Sequence, residues 1–179
     1  MAKEGKSMIK KVDKNDFDLV YEIMEKSFPS DEIRPCNEQK ELFDETRYSV
    51  YAEYVSDGEI DGFIAAWEFD DFVFIEHFAV SPDKRNAGTG RKILNEFAGM
   101  TKKRICLETE PPESEIQKRR ISFYERNGFY LNDYDYFQPP ISAGKSIVPL
   151  MIMTYGSRVD EKEFQNIKNA LYKEVYKYV

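Results

Sequence analysis

Apolar positions along the chain recur at two different periods. Phe17, Val20, Tyr21, Met24 and Phe28 fall three or four apart and predict an amphipathic helix, with Asp13 as its cap and Pro29 at its end. Before it, after a flexible Lys-rich start, Met8 to Val12 reads as a first strand. Residues 31–47 are charged, with Pro35 early and Leu42-Phe43 as an apolar anchor, which predicts a loop and a second short helix; Glu32 and Arg34 there read first as surface charge. From Tyr48 the period changes to two. Tyr48 to Val55 alternates around Val50, Ala52 and Tyr54, Asp57-Gly58 is hairpin chemistry, and Ile60 to Phe69 is the return strand. Asp70-Asp71 then turns the chain into Phe72 to Val80, an apolar, aromatic and β-branched run suited to a buried strand.

Ser81-Pro82-Asp83 stops that strand. Ile93, Leu94, Phe97 and Ala98 share one helical face, and the helix closes through Gly99 into basic residues up to Arg104. Ile105 to Glu110 is a fifth strand, ended by Pro111-Pro112. Ser114 and Gln117 form a capping box for a helix that runs to Arg126 and ends at Asn127-Gly128. Tyr130 to Tyr136 and Ile147 to Thr154 are the last strands, on either side of a Pro/Gly/Ser loop at 138–146. Val159 to Val179 carries Phe164, Ile167, Leu171 and Val175 at helical spacing, a C-terminal helix expected to pack on its own domain.

Composition narrows the class. With 179 residues, 41% hydrophobic and 15% aromatic, the chain suits a single globular domain over 1–179. No apolar run approaches a membrane span of ~20 residues, and no basic-then-apolar leader opens the sequence. Two distant cysteines and one histidine suggest neither a disulfide framework nor a metal site, so a cytoplasmic protein is expected. A net charge of −7 argues against nucleic-acid partners and suits a cationic small molecule.

The chemistry concentrates between Phe72 and Leu94. Arg85-Asn86-Ala87-Gly88-Thr89-Gly90 lies between a strand and a helix, where free backbone N–H groups and the helix dipole can meet a phosphate. Gly88 and Gly90 lack Cβ atoms, so an anion can lie against the main chain, and Lys84, Arg85, Arg91 and Lys92 add positive charge. The P-loop ending Gly-Lys-Ser/Thr is absent here, and Gly88-Thr89-Gly90 is followed by Ile93 rather than the third glycine of a dinucleotide fingerprint. What fits is Arg/Gln-x-x-Gly-x-Gly/Ala, filled by Arg85, Gly88 and Gly90. A second signature, Tyr124 to Phe129 as Tyr-x-x-x-Gly-Phe, closes the helix after the fifth strand.

In this order and setting the two signatures resemble the GNAT superfamily of acetyl-coenzyme A dependent N-acyltransferases, over roughly residues 8–155. The resemblance implies a mixed α/β fold: a mostly antiparallel central sheet of about seven strands flanked by helices, with a C-terminal helix beyond it. It implies acetyl-CoA as co-substrate and no metal. Phe78, Ala79 and Val80 would pair with the pantetheine arm, a backbone N–H near Phe78 would face the thioester oxygen, and Arg85, Asn86, Ala87, Gly88, Thr89, Gly90 and Arg91 would grip the pyrophosphate. The acyl group would lie where the fourth and fifth strands splay, with residues 31–47 as a wall of the acceptor site and Glu32 and Arg34 as contacts there.

An acyl transfer to an amine needs a base for the amine and an acid for the thiolate. Glu108, in Leu107-Glu108-Thr109-Glu110, occupies a place similar to the base position of ribosomal-protein N-terminal acetyltransferases; Glu76, mid-strand in an apolar run, is the other candidate. Burial raises a carboxyl pKa, which suits either, and solvent exposure or pairing with Arg119 or Arg120 is the bland alternative. Alternation along a strand puts His77 on the face opposite Glu76, as a core residue. Tyr124 stands where many relatives place a tyrosine that protonates the coenzyme sulfur. Gln117 and Arg120 replace an asparagine and an alanine common in relatives, which departs from the ribosomal-protein branch. The expectation is acetyl transfer to a primary amine, of a small cationic molecule or a peptide N-terminus, by direct attack in a ternary complex, by a monomer or homodimer. A non-catalytic coenzyme A sensor of the same fold and a nucleotide-binding module are the rivals.

Overall fold

Strands rich in residues that are apolar on both sides need cover on both faces of their sheet, and the helices supply it. In the computed structural model of the protein, residues 9–56 and 58–178 are described. The Lys-rich start, Met8 of the first strand, Asp57 of the hairpin and Val179 of the last helix lie outside the described residues.

The elements follow in order. Strand β1 (Lys10–Lys11) precedes a short 3-10 turn, whose N-terminus Asp13 caps through Asn15 N–H, and helix α1 (Phe17–Ser27). Helix α2 (Cys36–Glu41) follows, then β2 (Tyr48–Tyr54), β3 (Ile60–Glu68), β4 (Phe72–Val80), helix α3 (Thr89–Gly99) and β5 (Arg104–Thr109). Helix α4 (Glu115–Arg126) opens on the predicted capping box, with Ser114 and Gln117 bonded reciprocally. Strands β6 (Phe129–Asn132), β7 (Phe137–Gln138), β8 (Val148–Pro149) and β9 (Met151–Tyr155) complete the β structure before α5 (Glu161–Ala170). The strand predicted over Tyr130 to Tyr136 ends at Asn132, and the one predicted over Ile147 to Thr154 is broken in two. Bends follow Asn132, and Pro149, which has no N–H to give a ladder, separates the small β7–β8 hairpin from β9.

The main sheet has seven strands in the order β1-β2-β3-β4-β5-β9-β6. All its pairs are antiparallel except β4 with β5. This is the mixed, mostly antiparallel sheet that the sequence implies. On one face Val20 and Met24 of α1 and Phe164 and Ile167 of α5 pack with Phe63, Trp67, Phe74 and Cys106. On the other, Ile93, Leu94 and Phe97 of α3 and Ile121 of α4 pack with Ile64, Val73, Ile75 and Leu107. The C-terminal helix therefore covers its own sheet. Past Ala170 it widens into a π-helical turn, Leu171–Val175, and Leu171, Val175 and Tyr176 are all buried.

Candidate active site

The site begins with a separation of strands. β4 and β5 run side by side only from Phe72 opposite Arg104 to Ile75 opposite Leu107. Past that point β4 stays with β3 as far as Val80 opposite Gly62, and β5 stays with β9 as far as Thr109 opposite Met151. Two strands held by their outer neighbours thus part from each other, and a cleft of about 630 Å³ opens along the parting. Glu76 and Glu108 are the first residues of the two strands beyond it.

A β-bulge shapes β4 at that place. Ala65 pairs with His77 and Ala66 with Ile75, which leaves Glu76 as the extra residue. The expectation that Glu76 and His77 take opposite faces is corrected here, because a bulge breaks the two-residue period. Both turn toward the segment after α1. The His77 Nε2 lies 2.7 Å from the Glu32 carbonyl oxygen, to which it must donate, and its ring meets Phe28 edge-on at 4.9 Å between centroids. Burial holds His77 below its usual pKa, so the ring is neutral. Arg34 is not surface charge: it is 5% exposed, with Nη2 2.8 Å from Glu76 Oε1. Burial pushes Glu76 up, but the Arg34 guanidinium, with a 3.1 Å hydrogen bond from the Trp67 indole, holds it below the ordinary carboxylate value.

Glu108 meets a different environment. Burial, reinforced by the charges of Glu76 and Glu32, pushes its pKa up to about 8 against the pull of two hydrogen bonds. These come from the hydroxyls of Tyr136 and Tyr176, the second 2.7 Å from each carboxylate oxygen. Sequence reasoning missed both tyrosines. Their distance along the chain hid Tyr136, and no helical face predicted Tyr176 beside Val175. Glu32 also lines the cleft, with its pKa raised to about 7 by burial and by Glu110, while Arg120, bonded to Glu110 at 2.7 Å, opposes that rise. Thr109 Oγ1 is buried without a hydrogen-bond partner among the described residues. Tyr124 lines the same cleft from α4, its phenol raised to about 12 by burial.

At the other end the loop before α3 has the predicted form. Asn86 and Gly88 take positive φ, 65° and 83°, and turn the chain into the N-terminus of α3. A Cβ on Gly88 would touch nothing within 4 Å, so its glycine answers to conformation. Gly90 differs: a Cβ there would stand 3.3 Å from Val80 Cγ2 and 3.5 Å from Phe78 and Phe123, so its small size serves helix-to-strand packing. Arg85 donates from Nε to the Val80 carbonyl at 3.3 Å and from Nη2 to Ser27 Oγ at 3.2 Å. Phe78, Ala79, Val80, Arg85, Asn86, Gly88, Gly90 and Arg91 all line the cleft, whereas Ala87 and Thr89 do not. An open edge of β4, a loop of positive φ, the start of α3 and two arginines together fit a pantetheine arm followed by phosphates. Among the described residues no group of His, Cys, Asp and Glu is placed to hold a metal ion. None of their helices is long and apolar enough to cross a membrane.

Comparison with known proteins agrees with this geometry. Residues 46–131 match the family model described as the acetyltransferase (GNAT) domain. A solved GNAT-family structure from Bacteroides thetaiotaomicron, provisionally named an acetyltransferase, is 34% identical over 94% of this chain and 97% of its own, with a TM-score of 0.85. The chain belongs to the GNAT acetyltransferase family. YjbC of Bacillus subtilis (strain 168), also provisionally named an acetyltransferase, is 31% identical over 111 residues, 61% of this chain. That match spans about half of the curated relative, 55% of its length. An aminoglycoside 6'-N-acetyltransferase complexed with coenzyme A shares the fold at 16% identity and a TM-score of 0.62, covering 86% of this chain and 99% of that one.

Proposed function

We propose that the cleft binds acetyl-CoA and that the protein moves its acetyl group to a primary amine, with Glu108 as general base and Tyr124 as general acid. The observation that carries this reading is the Glu108 carboxyl, which lines the cleft where β4 and β5 part, with a pKa of about 8. A base of that strength takes a proton from an ammonium far more readily than an exposed glutamate does, because its buried charged form is poorly solvated and so binds a proton more tightly. Glu76 has the equivalent place on β4 but is committed to Arg34, so it serves as a fixed counter-charge.

The chain's parts divide the work. The loop at 85–91 and the N-terminus of α3 hold the phosphates, with Arg85 and Arg91 as cations. The free edge of β4 orients the pantetheine arm, and the bound thioester supplies the activated acetyl carbon. Glu108 accepts a proton from the incoming ammonium, and the neutral amine then attacks that carbon. Tyr124 gives its phenolic proton to the departing thiolate, its raised pKa keeping the proton available until then, and the second proton, which the nitrogen sheds as the amide forms, restores the phenol. Glu32 beside the cleft favours an acceptor that carries positive charge, which supports a small cationic amine over a neutral one.

Coenzyme A thiol release, followed over a panel of mono-, di- and polyamines, tests the reading. Amine-dependent release is expected, with Glu108→Gln lowering kcat/KM by about 100-fold or more. Binding of acetyl-CoA without release on any amine would make the chain a coenzyme A sensor instead.

A further inference from the structure

Neither partner of Glu108 lies on a strand beside its own. Tyr136 comes from the bend between β6 and β7, and Tyr176 from just beyond the π-helical turn that ends α5. Both are buried. Burial and the nearby Glu108 charge raise both phenols well above their ordinary pKa, so each keeps its proton and donates it to the carboxylate. The π turn sets this up. Its wider winding, closed by the Tyr176 N–H to Leu171 carbonyl bond at 3.1 Å, buries two successive residues, Val175 and Tyr176. The turn is also tied to the second carboxylate, since Arg34, the partner of Glu76, lies 3.4 Å from the Val175 carbonyl through Nη2.

The other titratable groups facing Glu108 do not do this job. Glu76 and Glu32 add negative charge, Cys106 on the same strand stays a thiol because burial raises it well above its ordinary value, and the Tyr172 hydroxyl donates to the Phe137 carbonyl at 2.7 Å. We infer that Tyr136 and Tyr176 are positioning residues for the transfer: they fix the Glu108 carboxylate in the cleft and favour its charged form, which makes the C-terminal turn part of the active site. This inference rests on the reading of Glu108 as base.

The pH profile of kcat/KM for Tyr136→Phe, Tyr176→Phe, Glu108→Gln and Tyr172→Phe tests it on the full chain. Loss of a hydrogen bond to the carboxylate favours its protonated form, so the acidic limb moves to higher pH in both Glu108-directed phenylalanine variants. At pH 7 each loses about tenfold or more, recovered in part above the limb. Tyr172→Phe removes a bond of the same turn that does not reach Glu108, and its limb stays in place even if its melting temperature falls. Where Tyr176→Phe does not fold, Tyr136→Phe reads the same limb. 3-Fluorotyrosine at 176, a more acidic donor of nearly the same size, moves the limb to lower pH. Unmoved limbs with an inactive Glu108→Gln overturn this inference and leave the base standing. Full activity of Glu108→Gln overturns the base, and the positioning role with it.

Discussion

Glu76 and Glu108 stand at the same distance past the parting of β4 and β5, yet one is paired with an arginine and the other is hydrogen-bonded by phenols. A guanidinium lowers a carboxyl pKa by its charge, whereas a phenol offers one hydrogen bond and no charge, so burial prevails at Glu108 and not at Glu76. Two predictions follow from that difference. Glu108 binds a proton more tightly folded than unfolded, because its folded pKa is raised from 4.5 to about 8. Its contribution to stability is therefore complete below about pH 4.5 and is lost as pH rises toward 8. The melting temperature of the wild type should fall across that window, and Glu108→Gln should flatten the fall; parallel curves for the two would refute it. Arg34→Met leaves Glu76 as a buried charge without its partner and costs about 3–5 kcal/mol. Urea denaturation of Arg34→Met against the double variant Arg34→Met/Glu76→Met decides this, since the double variant recovers much of the loss. At this scale the sequence pointed to Glu108, Glu76 and Tyr124 but not to what each touches. Arg34 read as surface because its partner lies on another element and a lone arginine in a charged stretch carries no mark of burial.

Among the elements, what was legible is what local chemistry determines. The capping box at Ser114, the amphipathic face of α3 and the glycine loop before it are written in neighbouring residues, and each appears where the pattern placed it. The bulge at Glu76 and the π turn at 171–175 were not legible. Both insert one residue into a regular period, and an apolar run with one polar residue gives no sign of where that insertion falls. The glycines show the same division. Gly88 and Gly128 both have positive φ, but a Cβ on Gly128 would stand 2.9 Å from the Tyr155 ring while one on Gly88 meets open space. Gly88→Ala should cost about 1–2 kcal/mol of backbone strain and raise the KM for acetyl-CoA, since it reshapes the loop proposed to grip phosphate. Gly128→Ala should cost more stability with little change in KM among the molecules that remain folded. Thermal unfolding together with initial rates separates the two, and a larger melting-temperature loss for Gly88→Ala would contradict the packing account.

Across the whole molecule, charge is distributed so that an overall balance of −7 is locally reversed. The cleft takes arginines from the 85–91 loop and from α4 (Arg85, Arg91, Arg119, Arg120 and Arg126) and carboxylates from the parting strands and the turn after α1 (Glu32, Glu76, Glu108 and Glu110). Arg34 cancels Glu76 and Arg120 bridges Glu110, so Glu32 and Glu108 remain the carboxyls not matched by a cation in direct contact among the described residues. A monoamine can satisfy Glu108, whereas an α,ω-diamine offers its second ammonium to Glu32. Attraction to a half-exposed carboxylate is screened once the Debye length shrinks below the separation, from about 10 Å at 0.1 M salt toward 3 Å at 1 M. The KM of the diamine should therefore rise severalfold, on the order of 3–10, between low and high salt, with kcat nearly constant. The KM of the monoamine should change less, and Glu32→Gln should bring the diamine's salt slope down to the monoamine's. Equal slopes in the wild type would place recognition of the second charge away from Glu32, and the acidic balance of the protein would then act on encounter alone.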